Sequence, residues 1–296
     1  MTTESRSRWV ATAAVLAVVA GTAACSPAQS QALQVWVSFA PLEYVTERVA
    51  GPDVQVDNLT PPGADPHSQE LSPGRVADLA AADLVVYVSG LQPATDEAIE
   101  QAQPQHVVDT LDAATAELPD AAEPPDPTRD PHFWLDPVRL GIAAQRVADA
   151  LADIDPDHAA DYDRRADELV ADLGGLDTEF QAVLAPCAGA TLVTSHEAFG
   201  YLAARYGLRQ EGIAGIDPEV EPSPARLRQV AAIVEETGVR TIYFETAADP
   251  AVAASLAEDL GVATDVLDPM ERPSDPDYLV VMRLNLEALE RGLVCD

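Results

Sequence analysis

His67 and His132 each close the tripeptide Asp-Pro-His, and the whole chain has only five histidines. In each tripeptide the proline restricts the approach to the histidine, and the aspartate is placed to accept a hydrogen bond from the imidazole. Such a carboxylate fixes the tautomer and orientation of a metal-binding imidazole. The repeat therefore indicates a metal site with His67 and His132 as ligands and with Asp65 and Asp130 behind them.

His196 is the third candidate ligand, because it directly follows the predicted strand TLVTS. All three histidines lie at the carboxyl end of a predicted strand or in the loop beyond it, where ligands bind in open parallel sheets. Two come from the first half of the chain and one from the second, so we expect them to meet across a cleft. The other two histidines, His106 and His158, are interpreted as structural or surface groups.

A carboxylate from the second half should complete the site. Asp268 follows the last predicted strand and is the first candidate, although it could instead cap the turn before Pro269. Glu245, at the end of the strand TIYFE, is the other candidate, and we otherwise place it with Glu221 among the supporting carboxylates. Three imidazoles and one carboxylate suit four-coordinate Zn²⁺, whereas a Mn²⁺ site would contain more oxygen ligands.

Eight predicted strands, separated by helical patterns, must position these side chains. This alternation favours an α/β fold with parallel sheets covered by helices. The strands are predicted at residues 33–38, 54–59, 84–89 and 106–109 in the first half and at residues 191–195, 208–213, 241–245 and 262–267 in the second.

The two halves share residue offsets. In each half, a strand that ends in serine is followed by tyrosine six residues later and by arginine ten residues later. These residues are Ser38, Tyr44 and Arg48, and Ser195, Tyr201 and Arg205. Ser-Pro helix starts at Ser72 and Ser223 also match, each with glutamate two residues before and arginine three residues after. Ser-Pro is common at helix starts, but offsets matched in two places favour a duplicated, two-lobe architecture.

A long helix is predicted between the halves, capped by Asp155 and opened by Pro156. An apolar stripe at spacings of three and four runs to residue 184, about 40 Å at ~1.5 Å per residue. Gly174-Gly175 is a possible kink in this helix. The predicted lobes are residues 33–154 and 187–296, with the linker helix at 155–186, and a rigid rod of this kind predicts limited closure around a ligand.

The first 24 residues are predicted to be a signal peptide, with arginines before a short apolar stretch and small residues after it. The run GTAAC resembles a bacterial lipobox in which Cys25 carries the lipid, although Thr22 stands where leucine is usual. Ordinary cleavage near Ala24 is the alternative. Residues 25–32 then form a short tether. In an oxidising compartment, Cys187 and Cys295 are expected to pair rather than stay free.

The chain carries a formal charge of −33, and its 17 basic side chains are all arginine. Such an acidic protein repels nucleic acid and anionic lipid headgroups, so nucleic-acid binding is excluded. The charge could concentrate cations at the surface, but keeping an exported protein soluble is the simpler interpretation.

Three stretches, GADPHSQELSP, DPHFWLDP and TSHEAFGYLA, resemble the metal motifs of the solute-binding proteins of zinc- and manganese-importing ABC transporters, the ZnuA/TroA-like family. The likeness runs from Val35 to Leu293. It implies two (β/α) lobes joined by one long helix, with metal held between them by His67, His132 and His196. Asp268 falls where many members place a carboxylate ligand. Manganese-type members tend to replace the third histidine by glutamate, so His196 favours zinc.

The resemblance implies a non-enzymatic monomer that captures Zn²⁺ outside the cytoplasm and delivers it to a permease driven by a cytoplasmic ATPase, with a lipid anchor at the membrane. A manganese-binding homologue and a secreted zinc hydrolase are the alternatives, and an adhesin with a structural metal is a third. The hydrolase lacks sequence support, since HEAFG at residues 196–200 is not HExxH. Many zinc members carry a histidine-rich loop, whereas residues 112–131 here are acidic and proline-rich and are interpreted as a surface loop.

Overall fold

The computed structural model describes residues 32–116, 118, 125, 130–245, 251–272 and 277–295. The predicted signal peptide, Cys25 and most of the tether lie outside these residues, as does most of the acidic loop. Within the described part of the chain, no helix combines the length and apolar character needed to cross a membrane.

Each lobe is built on a four-stranded, fully parallel sheet. The strand order is β2-β1-β3-β4 in the first lobe and β6-β5-β7-β8 in the second, so the two sheets have the same topology. The strands are β1 (Gln34–Val37), β2 (Gln55–Asn58), β3 (Leu84–Tyr87), β4 (Val107–Asp109), β5 (Thr191–Thr194), β6 (Arg209–Gly212), β7 (Thr241–Phe244) and β8 (Ala263–Val266). The predicted α/β fold with duplicated lobes is confirmed, and each predicted strand contains an observed one.

The central strands read as runs of β-branched and leucine side chains, because helices cover both faces of a parallel sheet. Val35 of β1 pairs with Val56 of β2 and with Leu84 of β3, and both Val35 and Leu84 are fully buried. In the second lobe, Val193 of β5 pairs with Glu211 of β6 and Ile242 of β7. The carboxyl ends of all four strands in a sheet therefore lie on the same side of that sheet.

Nine α-helices connect and cover the strands in the described part of the chain. They are α1 (Ala40–Ala50), α2 (Pro73–Ala81), α3 (Pro93–Ala102), α4 (Pro137–Ile154), α5 (Ala159–Leu184), α6 (Gly200–Tyr206), α7 (Pro224–Thr237), α8 (Ala251–Leu260) and α9 (Tyr278–Gly292). The matched Ser-Pro starts behave alike: Ser72 accepts a hydrogen bond from the backbone of Arg75, and Ser223 accepts one from the backbone of Arg226.

The linker helix is α5, which spans 26 residues and is about 39 Å long at ~1.5 Å per residue. It begins at Ala159 rather than Pro156, after a 3₁₀ turn at Pro156–His158. Asp155 does not cap the backbone, because its carboxylate accepts hydrogen bonds from Tyr162 and His158 instead. The helix continues through Gly174-Gly175, and α4 packs along it. The apolar stripe is buried from residue 162 to residue 180.

A disulfide joins Cys187 to Cys295, with the two Cα atoms 4.2 Å apart. Cys187 lies just before β5, and Cys295 follows α9, the last helix. The bond therefore ties the carboxyl-terminal segment to the start of the second lobe.

Candidate metal centre

Four side chains meet where the two lobes face each other: His67, His132, His196 and Glu271. Each offers one ligand atom, and these atoms all lie within 4.8 Å of one another. Glu271 Oε1 is 3.2 Å from His67 Nε2, 3.0 Å from His132 Nε2 and 3.6 Å from His196 Nε2. Ligand atoms around a tetrahedral ion with bonds of 2.0–2.1 Å are about 3.3 Å apart, so the three separations from Glu271 match those of a zinc site.

The parallel sheets bring these residues together. His67 lies in the loop between β2 and α2, His132 lies in the long connection between β4 and α4, and His196 follows β5 by two residues. Glu271 lies in the segment after β8. All four therefore follow the carboxyl ends of strands, the edge at which open α/β sheets bind ligands. His106 and His158 lie outside the cluster, and His158 is exposed.

The cluster is shielded from solvent. The side chains of His132 and His196 are 0% and 1% exposed, that of Glu271 is 6% exposed, and that of His67 is 8% exposed. Among the described residues, His196 Nε2 is one of the few buried polar atoms without a hydrogen-bond partner. Because an unpartnered buried nitrogen is costly, a cation bound there would satisfy it.

Carboxylates hold two of the three imidazoles from behind. His132 Nδ1 is 2.8 Å from Asp130 Oδ1, and His196 Nδ1 is hydrogen-bonded to Glu245. Glu245 also accepts a 2.6 Å hydrogen bond from the Ser195 hydroxyl. With Nδ1 facing a carboxylate, each ring directs Nε2 into the cluster, where the nitrogen can bind a metal once it has lost its proton.

The two Asp-Pro-His tripeptides share a backbone motif. Asp65 Oδ1 accepts a hydrogen bond of 2.9 Å from the backbone of His67, and Asp130 Oδ1 accepts one of 3.0 Å from the backbone of His132. Both are Asx turns, which the intervening proline favours. Only Asp130 also reaches its imidazole; the second oxygen of Asp65 pairs with Arg272.

Glu221 has a more peripheral position than the other predicted supporting carboxylates. It is exposed and lines a cavity beside Ser195 and His196, outside the four-residue cluster. Among the carboxylates expected to support the site, Asp130 and Glu245 therefore contact the imidazoles of His132 and His196, Asp65 contacts the backbone of His67, and Glu221 lines the neighbouring cavity.

Asp268, the carboxylate expected from the second lobe, lies outside the cluster, and Glu271 occupies that place. Asp268 Oδ1 accepts a 2.7 Å hydrogen bond from the backbone of Met270. The side-chain amide of Asn285 accepts a hydrogen bond from the backbone N–H of Asp268 and donates one to its backbone C=O. Met270 has a φ of 62°, in the left-handed region. Asp268 thus stabilises a tight turn, and the turn carries Glu271 into the site.

A second contact fixes this turn against the first lobe. The Trp134 indole donates a 2.8 Å hydrogen bond to the carbonyl of Pro269, and Trp134 lies two residues after His132. The motif DPHFW therefore supplies one candidate ligand, His132, and holds the segment that carries another, Glu271. Sequence reasoning had one signal for Glu271, since it is an acidic residue in the same short loop as Asp268.

The electrostatics match a cation site. Burial acts to raise the pKa of Glu271, but the three surrounding imidazoles outweigh it and hold that pKa well below its usual value. Burial acts to lower the pKa of His196, but Glu245 and Glu271 raise it to about 10. The pKa of His132 is also raised, by Asp130 and Glu271 against the effect of burial. The carboxylates therefore favour positive charge on these imidazoles, and the imidazoles favour the ionised form of Glu271.

A protein-family comparison decides the classification. The model of the family described as ZnuA, zinc-uptake complex component A, periplasmic, matches residues 35–292. The chain belongs to this family. Among curated ZnuA-family relatives, it is 31% identical to the high-affinity zinc uptake system protein ZnuA of Bacillus subtilis, with 88% of each chain covered. It is 34% identical to the zinc-binding lipoprotein AdcA of Streptococcus pneumoniae, over 90% of this chain but only 58% of AdcA.

Solved ZnuA-like structures share the whole fold. The laminin-binding protein Lmb of Streptococcus agalactiae, described as bifunctional with adhesin and metal transporting activity, superposes with a TM-score of 0.78 at 33% identity, covering 88% of this chain and 99% of Lmb. Zn(II)-bound AdcA of Streptococcus pneumoniae gives a TM-score of 0.74 at 31% identity, covering 88% of this chain and 57% of AdcA.

Proposed function

We propose that this chain captures Zn²⁺ outside the cytoplasm and delivers it to the permease of an ABC importer that is driven by a cytoplasmic ATPase. The observation that carries the proposal is the set of three imidazole nitrogens and one carboxylate oxygen, buried between two lobes. His67, His132, His196 and Glu271 would be the ligands in this proposal.

The number of protein donors argues for capture rather than catalysis. A catalytic zinc site has three protein ligands and leaves one position for water, whereas four protein ligands close a tetrahedral site. Three nitrogen ligands also favour Zn²⁺ over Mn²⁺, which prefers oxygen. The relatives named as zinc-binding lipoproteins and zinc uptake proteins give independent support for the same cargo.

The cellular setting is part of the proposal. A signal peptide and a lipid on Cys25 would hold the chain at the outer face of the cytoplasmic membrane, as a monomer beside its permease. The relatives' names, which include lipoproteins and a periplasmic component, support an extracytoplasmic location.

Competitive metal titration of the mature chain tests this function. We expect the wild type to bind one Zn²⁺ tightly per chain and Mn²⁺ weakly. Zn²⁺ affinity should fall by more than about 100-fold, which exceeds the cost of losing a supporting partner, in each ligand variant. These variants are His67→Ala, His132→Ala, His196→Ala and Glu271→Gln. Asp268→Asn is the matched control, because asparagine can still accept the Met270 hydrogen bond. Tight Mn²⁺ with weak Zn²⁺, or full binding in Glu271→Gln, would contradict the assignment.

A further inference from the structure

An ion pair crosses the cleft beside the metal centre. Asp65 Oδ2 lies 3.1 Å from Arg272 Nη2. Asp65 belongs to the first-lobe loop that carries His67, and Arg272 is the residue directly after Glu271 in the second lobe. The pair therefore joins the neighbours of two candidate ligands that come from opposite lobes.

We propose that the Asp65–Arg272 pair is a latch that holds the metal centre closed and slows the release of Zn²⁺; this rests on the proposed function. Both are positioning residues, because they act through the ligands next to them. The pair would not itself coordinate the metal.

The connection is short and uses both oxygens of one carboxylate. Asp65 Oδ1 accepts the hydrogen bond from the backbone of His67, at 2.9 Å, while Oδ2 pairs with Arg272. A peptide bond then leads to Glu271, whose Oε1 lies 3.2 Å from His67 Nε2. These links form a closed ring around one side of the cluster, so His67 and Glu271 cannot separate far while the pair is intact.

The latch completes the support of the Glu271 segment. On its amino-terminal side, the segment is held by Trp134 at the carbonyl of Pro269 and by Asn285 at Asp268. Arg272 holds it on the carboxyl-terminal side. His67 is the most exposed of the four ligands, so the latch acts where the site is most open to solvent.

An ion pair of this exposure, with side chains 20% and 27% exposed, contributes little to global stability. Its effect should appear instead in the rate of the local opening that releases the metal. The pairing also matters for charge, because Arg272 without Asp65 would place an uncompensated positive charge beside a cation site. Single variants therefore change both closure and charge, whereas the double variant changes closure at constant net charge.

The test is the rate of Zn²⁺ dissociation from the mature chain into excess chelator, measured by stopped flow. In Asp65→Asn/Arg272→Gln we expect dissociation about fivefold faster than wild type, as loss of about 1 kcal/mol predicts, with an unchanged association rate. Asparagine keeps the acceptor for the His67 backbone. Arg272→Lys, which retains the charge, should release Zn²⁺ more slowly than Arg272→Gln.

Arg146→Gln is the matched control, because it breaks another arginine–aspartate pair, with Asp112, inside the first lobe. Release from the double variant at the rate of this control would overturn the latch, provided that the wild type binds Zn²⁺ tightly. So would effects of the two single variants that add without coupling in a double-mutant cycle. A wild type without tight Zn²⁺ binding would instead overturn the proposed function, and the latch with it.

Discussion

His67 is held differently from the other two histidines of the cluster. The rings of His132 and His196 are each oriented by a buried carboxylate, whereas His67 is fixed through its backbone and retains 8% side-chain exposure. Under the proposed function, this freer ring on the solvent side would suit His67 to be the first to meet an entering ion and the last to release it. The buried pair would then form the preorganised part of the site.

Glu245 and Glu221 make a direct test of this support. Glu245→Gln should weaken Zn²⁺ binding by about 10- to 100-fold, because the His196 ring loses the carboxylate that fixes its tautomer and orientation. Glu221→Gln removes an equal charge from the same lobe, but Glu221 lies outside the cluster and affinity should be unchanged. Competitive titration measures both. Equal losses in the two variants would mean that general charge, rather than ring orientation, governs affinity.

The raised histidine pKa values predict proton release on metal binding. The pKa of His196 is raised to about 10 and that of His132 is also raised, so the metal-free site holds protons at pH 7. Zn²⁺ needs the deprotonated nitrogen, and its apparent affinity should therefore keep rising from pH 7 toward 10 instead of levelling off just above 6.5. Calorimetry at pH 7 in buffers of different ionisation enthalpy should give at least one proton released per Zn²⁺. A value of zero would contradict this prediction.

At the scale of elements, α5 is shared between the lobes along its length. Near its middle, α5 contacts α1, where Arg48 pairs with Asp172 at 2.7 Å. Its carboxyl-terminal half contacts α6, where Arg205 pairs with the buried Asp177 at 2.7 Å. Arg48 and Arg205 are the matched arginines of the internal repeat. Each lobe therefore contacts the linker helix through an equivalent arginine on an equivalent helix. Gly174-Gly175 lies between these two arginine–aspartate contacts.

Replacing this glycine pair tests whether the linker needs it for stability. An added Cβ at Gly174 or Gly175 meets nothing within 4 Å, so Gly174→Ala/Gly175→Ala should raise the free energy of unfolding by about 1–2 kcal/mol. Gly207→Ala is the control; Gly207 ends α6 at a φ of 72°, and alanine there should destabilise by about 1 kcal/mol. Urea titration measures both. A destabilised double variant would show that α5 requires the backbone freedom of glycine.

The secondary structure was largely readable because the central strands β1, β3, β5 and β7 are short, mainly apolar runs between turn signals. One element was missed: α4 was not predicted as a separate helix, although Asp136-Pro137 opens it as Ser72-Pro73 opens α2. Its buried positions at Leu140, Ala144 and other residues three or four apart carry the same period as α5. This helix could therefore have been predicted from the pattern.

The fourth member of the cluster could not be chosen from the sequence in the same way. Asp268 and Glu271 lie three residues apart in one loop, and both are acidic. The choice depends on the left-handed conformation of Met270 and on hydrogen bonds from Asn285 and Trp134. Trp134 is 135 residues away in the chain, and no local pattern reports such a contact. The three histidines were accessible because each stands beside its own strand end or tripeptide.

At the scale of the whole molecule, the disulfide encloses one lobe. All elements from β5 to α9 lie between Cys187 and Cys295, which are 108 residues apart in sequence. The first lobe has no comparable covalent closure among its described residues. The bond therefore limits the unfolded chain of the second lobe, and its effect should be on stability rather than on the local geometry of the metal centre.

Cys187→Ser/Cys295→Ser should lower the free energy of unfolding by about 3–5 kcal/mol, because a cross-link over such a long loop removes much of the entropy of the unfolded chain. Urea titration of the metal-free protein measures this, with reductant added to the wild type as a second route to the same state. Reductant should leave the serine variant unchanged, which separates loss of the bond from other effects. Zn²⁺ affinity of the folded variant should match the wild type, since His196, Glu245 and Glu271 are positioned by hydrogen bonds within the lobes and across the cleft. If the reduced wild type unfolds at the same urea concentration as the oxidised protein, the disulfide contributes nothing to the stability of the second lobe. Packing between α9 and the rest of the molecule must then hold the carboxyl-terminal segment alone.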